Sequence, residues 1–251
     1  MRKVALWIGI FVVLAWSSGA GAGTITEDFD GGTFNTNLFE FADGTGLISN
    51  GRMIPLSRSQ FRTIRSDLTP TASTPLTIQA DLTFLTGAFE IAYFSWRSNG
   101  LSDSFYREPG SALYYRLHNV WNDGVVDLAI SPAIDPPPCG LCEFSTITSQ
   151  SPGGAFWTTG QSVRISITDD GSQIIASFVN LNTGETFSDT ASVAISNLVN
   201  YVSFSGNDPD FNSQVVAWDN IVITHAAIPE PSTALLLSLG LVGMSASRRR
   251  V

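Results

Sequence analysis

The chain is 251 residues long, carries 13 basic against 22 acidic side chains for a formal net charge of −9, and contains two cysteines and two histidines. Such a balance excludes a nucleic-acid binder, because neutralising phosphates demands a basic footprint. It leaves divalent cations and neutral glycans as compatible ligands, although acidic surface also serves solubility alone.

The first predicted element is an address. Arg2 and Lys3 precede an apolar run from Val4 to Trp16, then small residues ending in Ala20-Gly21-Ala22. A basic start, a short apolar core and a small-x-small site make residues 1–22 a secretory signal peptide, with cleavage expected after Ala22. The run is too short for a comfortable membrane span. An uncleaved anchor is the alternative, and no stop-transfer pattern supports it.

Residues 23–227 read as one domain, within the range of a single all-β fold. Setting aside the terminal segments removes five basic residues and one acidic one, which takes the net charge from −9 to −13. Period-two alternation dominates: Leu76–Leu85, Phe89–Trp96, Ser162–Thr168 and Val215–Thr224 all alternate apolar and polar residues, as half-buried strands do. Asp169-Asp170-Gly171-Ser172 between two such runs marks a tight hairpin, and Asn182-Thr183-Gly184 a second turn. Short strands separated by turn residues, with no convincing helix, predict an antiparallel β-sandwich of the jelly-roll kind.

The opening Ile25–Gly31, the hairpin Val163–Val179 and the closing Ala217–Ile223 resemble the first, middle and last strands of concanavalin A-like and carbohydrate-binding-module jelly rolls. The resemblance implies neighbouring terminal strands and calcium held by carboxylates on them, for which Glu27, Asp28 and Asp219 are the candidates, with Asp208 and Asp210 as further oxygen donors. Asx-capped turns are the competing explanation of the same carboxylates.

Between Trp96 and Trp121 the chain mixes flat aromatic faces with planar hydrogen-bonding groups, as sugar sites require. Trp96, Tyr106, Tyr114, Arg116 and Trp121 are the candidate glycan-binding residues, core packing being the alternative, with one of Tyr114 and Tyr115 expected inside whatever the function. Trp157 and Trp218 are expected in the core. Cys139 and Cys142 follow a proline run in an exported β protein, which favours a local disulfide over redox chemistry. No alternating carboxylate run of the glycosidase type occurs around Glu90 or Glu185, and no Gly-x-Ser-x-Gly is present. No catalytic residue is therefore assigned, and His118 is the one imidazole expected inside the fold. Arg58, Arg62 and Arg65 suggest an exposed strand edge or loop.

The last 24 residues form a second address. Pro229-Glu230-Pro231 precedes an apolar stretch from Ala234 to about Ala246 and the terminal Arg248, Arg249 and Arg250. Thirteen such residues as a helix make roughly 20 Å, short of the roughly 30 Å hydrocarbon core. Arginines at its end would hold that end in the cytoplasm and leave the domain outside. Residues 228–251 resemble the PEP-CTERM sorting signal, a transient anchor cut by a membrane enzyme. The resemblance implies an exosortase-type processing enzyme, brief inner-membrane association, and a place on the envelope or in the exopolysaccharide matrix of a Gram-negative bacterium. The expected function is that of a non-catalytic exported protein that binds extracellular polysaccharide. A structural or adhesion protein meeting protein partners is the alternative, and a secreted glycoside hydrolase or lyase the third.

Overall fold

The computed structural model describes residues 22–86, 91–99, 112–118, 124–131, 145–193, 200–207 and 216–226. Residues 1–21 of the signal peptide, the sorting segment, Cys139, Cys142, Tyr106, Trp121, Glu90, Asp208 and Asp210 lie outside them. Among the described residues one 3-10 turn at Gly154–Trp157 is the only helical element. The rest of the regular structure is strand: β1 (Ala22–Glu27), β2 (Phe39–Ser49), β3 (Arg52–Thr63), β4 (Leu76–Phe84), β5 (Ile91–Ser98), β6 (Ala112–His118), β7 (Val125–Ser131), β8 (Ser145–Gln150), β9 (Ser162–Asp169), β10 (Gln173–Asn180), β11 (Thr186–Ser192), β12 (Tyr201–Asn207) and β13 (Val216–Ala226). None of the described elements is a helix long and apolar enough to cross a membrane.

Hydrogen-bonded neighbours run β11-β10-β9-β4-β13-β3-β12-β5-β6-β7-β8, with β1 on β13 and β2 on β3. The ladders joining β2 through β13 are antiparallel. The path folds over at β3, which meets β13 only at Met53 opposite Trp218 but pairs extensively with β2 and β12. One sheet thus holds β1, β4, β9, β10, β11 and β13; the other holds β2, β3, β5, β6, β7, β8 and β12. This is the antiparallel sandwich expected from the alternation, and its terminal strands are neighbours.

Alternation explains what fills the space between the sheets. In β9 and β10, Val163, Ile165, Ile167, Ile174, Ala176 and Phe178 are buried while the residues between them face outward. From the other sheet come Phe94, Tyr115, Leu117, Leu128 and Phe204. Phe178 stands edge-on to Tyr115 with ring centroids 5.3 Å apart, and Phe94 stacks on Phe204 at 5.1 Å. Each such side chain contributes about 1.5–3 kcal/mol through burial. Trp157 and Trp218 belong to this core. Every core residue falls between Ile25 and Ile223, and Thr24–His225 forms a compact unit, the anatomy of a domain that folds on its own.

A polar strut crosses the core. Asp169, fully buried, accepts from Trp96 Nε1 at 2.8 Å, Arg97 Nε at 2.8 Å, Arg97 Nη2 at 2.6 Å and the Gly171 amide at 2.8 Å. Arg97 has a φ of 46°, a turn out of the extended path that lets consecutive Trp96 and Arg97 both reach one carboxylate. The strut ends on the predicted β9–β10 hairpin, where Asp170 Oδ1 accepts from the amides of Ser172 and Gln173. Gly171 there has a φ of +92°, and a Cβ on it would lie 2.8 Å from the Pro70 carbonyl oxygen. A second pin closes the β8–β11 side: Asp189 accepts from the Tyr115 hydroxyl at 3.1 Å and from the Thr148 hydroxyl. Burial first, then the Asp189 charge, raises the Tyr115 phenol well above its ordinary value, so it stays protonated.

Candidate functional site

If Phe94, Tyr115 and Phe204 point inward, their strand neighbours must point out. The registers align these outward residues in two rows crossing the second sheet. One runs Gln60, Ser205, Tyr93, Arg116, Asp127, Ser149; the other runs Glu40, Arg62, Ser203, Ser95, Tyr114, Ala129, Thr146. Nearly all are polar or phenolic, in contrast with the apolar inner face.

At the β6–β7 end, Arg116 donates to Asp127 Oδ2 through Nε at 3.2 Å and Nη2 at 2.5 Å. His118 Nε2 lies 3.6 Å from the same oxygen. Burial disfavours the Asp127 charge, but the polar side chains of His118, Ser149 and Arg116 around it more than offset this and hold the carboxyl well below the usual range. The arginine and imidazole keep side-chain exposures of 23% and 15%, so planar donors reach solvent at this rim. Beside them Tyr93 and Tyr114 meet edge to face at 5.9 Å, forming with Ala129 a small cluster apart from the main core.

At the opposite end Arg62 is paired with Glu40 at 2.7 Å and lies 4.3 Å over the Tyr201 ring. Arg65 pairs with Asp67; Arg62 and Arg65 are thus engaged rather than free. Between the ends, Gln60 and Ser203 are each 1% exposed, and neither Gln60 Oε1 nor Ser203 Oγ has a hydrogen-bond partner.

These positions change the expected site. Trp96 is fully buried in the inter-sheet core, stacked on Tyr115 at 5.7 Å with its indole N–H on Asp169. It offers no face to a sugar, because it shares the inward side of β5 with Ala92 and Phe94. Tyr114 lies on the outer face as a ligand residue would, yet it too is fully buried; Tyr115, its neighbour, takes the inward position. Arg116 stands at the solvent rim. Sequence reading missed Tyr93, Asp127, Gln60 and Ser203, which become neighbours only through pairings between distant strands.

Of the expected calcium ligands, Glu27, Asp28 and Asp219 are described and do not gather into one cluster, while Asp208 and Asp210 lie outside the described residues. Glu27 and Asp28 are consecutive and point to opposite sides: Glu27 is buried and accepts from the Phe29 amide at 3.1 Å, whereas Asp28 is exposed and accepts from the Asp30 amide. Asp219 accepts from the Asn220 amide at 2.7 Å. Burial, with help from Asp81 and Asp30, raises the Asp219 carboxyl above its ordinary value. Among the described residues no three His, Cys, Asp or Glu side chains gather as a metal cage; the Asx-turn explanation accounts for Asp28.

At the C-terminal end, residues 227–250 match a family model, the PEP-CTERM protein-sorting motif. The chain ends in a PEP-CTERM signal. That signal, of the kind exosortases recognise, marks it as an exported bacterial protein sorted at its C-terminus to the cell envelope or surface. No curated protein matches the chain. The sandwich is similar to the CBM2 module of the evolved Dit of Lactobacillus casei BL23 phage J-1, at TM-score 0.57 and 11% identity over 82% of this chain and 98% of that one. It is also similar to peanut lectin, at 0.57 and 13% over 82% and 99%, and to lectin II from Ulex europaeus, at 0.56 and 12% over 83% and 99%. At these identities the likeness is one of fold: the PEP-CTERM chain carries a lectin-like jelly roll.

Proposed function

We propose that this is a non-catalytic protein of a Gram-negative envelope or exopolysaccharide matrix, released by an exosortase-type enzyme at the Pro229-Glu230-Pro231 segment, and that it binds extracellular glycan on the outer face of the second sheet. The observation that carries the reading is the Arg116–Asp127–His118 cluster, whose planar side chains keep some exposure to solvent at the β6–β7 end of the face, as the polar partners of a sugar site require. Tyr106 and Trp121, on the segments flanking β6, remain candidate stacking residues.

The test is calorimetric titration of the exported domain with polysaccharides. Arg116→Ala and Trp121→Ala should weaken binding about tenfold or more, the consequence of losing one charge-assisted hydrogen bond or one aromatic platform. Absence of saturable binding across a broad panel, from a folded protein, would refute the proposal. A second reading, an adhesion protein meeting protein partners, is favoured by the burial of Trp96 and Tyr114; it predicts unresponsiveness to soluble glycans and binding to envelope proteins that the Arg116→Ala variant leaves unchanged.

A further inference from the structure

Resting on the processing half of that reading, we infer that the end of the sandwich from which the tail departs, formed by a strap of residues 66–74 and the hairpin of residues 169–173 around His225, is the surface against which the membrane-bound processing enzyme seats. The fold keeps hold of the chain almost to the signal. His225 is 2% exposed and stands opposite the buried Leu76 in the β4–β13 ladder, and its Nε2 donates to the Thr69 carbonyl oxygen at 2.9 Å. The sorting signal begins two residues later. The strap that receives this bond is itself pinned: the Asn200 amide donates to the Ser66 carbonyl at 2.6 Å, the Leu68 amide to the Asn200 carbonyl at 3.3 Å, and Asn200 Nδ2 to Thr69 Oγ1 at 2.8 Å. On the other flank Leu76 also faces Asp169, which brings the β9–β10 hairpin alongside the strap.

Reach decides what the enzyme must touch. From His225 to Pro229 the chain has four residues, which span about 13–14 Å at full extension. A globular body of only about 100 residues already has a radius of gyration of about 13 Å. An enzyme whose cleft takes in Pro229-Glu230-Pro231 therefore cannot stand clear of the domain. Lengthening the leash by peeling back β13 would pull His225 from Thr69 and uncover Ile223, which is 1% exposed. The exit end suits close approach. Residues 71–75 at the tip of the strap carry no charge, and Thr71, Ala72 and Ser73 are small and exposed. The charges beside the tip are engaged: Arg65 pairs with Asp67 at 2.9 Å, and Asp170 is turned onto the amides of its own hairpin. The partner chemistry that fits is an uncharged, hydrogen-bonding rim around the enzyme's cleft.

The test uses the full chain, expressed in a Gram-negative host that carries an exosortase-type enzyme, with the ratio of precursor to processed protein followed by immunoblot after a pulse of synthesis. Ala72→Trp on the strap and Gln173→Trp on the hairpin add bulk at exposed positions of the exit end, and Leu181→Trp adds it at an exposed position beyond the other end of β10. Each is made at native spacing and with about ten Gly/Ser residues inserted after Ala226, which adds a mean span of about 16–19 Å. Ala72→Trp and Gln173→Trp should slow processing about tenfold or more at native spacing, as misplacing reacting groups does, and the insertion should bring both back to the rate of the inserted parent. Leu181→Trp should be processed as the wild type is. Unslowed processing of either exit-end variant would overturn the inference and leave the processing reading standing. Slowing that the insertion does not relieve, or that Leu181→Trp shares, would trace the effect to folding or export and overturn it equally. A wild-type chain that is never processed would remove the processing reading and the inference with it.

Discussion

Replacing Asp169 with Asn tests what holds the two sheets together, because the change keeps the shape of the side chain and removes its charge. Arg97 is 2% exposed and Asp169 fully buried, with two charge-assisted hydrogen bonds between them at 2.8 and 2.6 Å. Neutralising the carboxylate takes from the buried Arg97 its ion pair with Asp169, a loss of about 3–5 kcal/mol. Against a total stability of roughly 5–15 kcal/mol, that is a large fraction. For a domain of this size it corresponds to a fall in melting temperature of about 6–20 °C. Urea unfolding followed by tryptophan fluorescence reads it directly: the midpoint should fall with the slope unchanged. The double variant Asp169→Leu with Arg97→Met should recover much of the loss, since apolar side chains can replace a buried ion pair. A single Asn variant within about 1 kcal/mol of the wild type, or a double variant as unstable as the single one, would refute the reasoning.

Tyr115 has its phenol raised by burial and by Asp189, so above about pH 10, where an unfolded tyrosine ionises, the unfolded chain is favoured. Stability should decline there in the wild type and less steeply in Tyr115→Phe, measured by urea midpoints across an alkaline series. Asp127 has a lowered folded value, so its contribution is fully present above about pH 4, the unfolded range, and fades as pH falls towards the folded value. The stability advantage of the wild type over Asp127→Asn should accordingly stay constant from neutral pH to about pH 5 and shrink below it. Gly171→Ala combines a φ of +92° with a 2.8 Å approach to the Pro70 carbonyl. It should destabilise the fold by about 2 kcal/mol, whereas Gly184→Ala, at φ +76° with open space around it, should cost about 1 kcal/mol, both read from urea midpoints.

Local signals were legible in the sequence and relational ones were not. The Asp170-Gly171 hairpin is legible because it depends on adjacent residues, and the antiparallel sandwich because period two survives in β9, β10 and β13. The site is less legible for a definite reason. Seven of the eight residues of β5 are buried, so both of its faces are covered, and alternation alone cannot tell which carries Trp96 into the core. The partner that settles it, Asp169, is more than seventy residues away. Likewise Gln60, Ser205, Tyr93 and Arg116 form a row only once β3, β12, β5 and β6 are placed side by side, and no spacing along the chain announces that order. Glu27 and Asp28 mislead for the converse reason: neighbours in sequence on an extended strand point apart.

The position of β13 has a consequence for how such a protein must mature. This last strand lies in the interior of its sheet, between β4 and β1, and touches β3 of the other sheet at Trp218, and it supplies Trp218, Ile221 and Ile223 to the core. A chain threaded outward from its N-terminus cannot complete the sandwich until residues 216–226 have emerged, and the sorting motif begins at the very next residue. Completion of the fold and arrival of the sorting signal are therefore nearly simultaneous. Any processing enzyme that acts on this tail meets a domain whose final strand has only just become available to lock it.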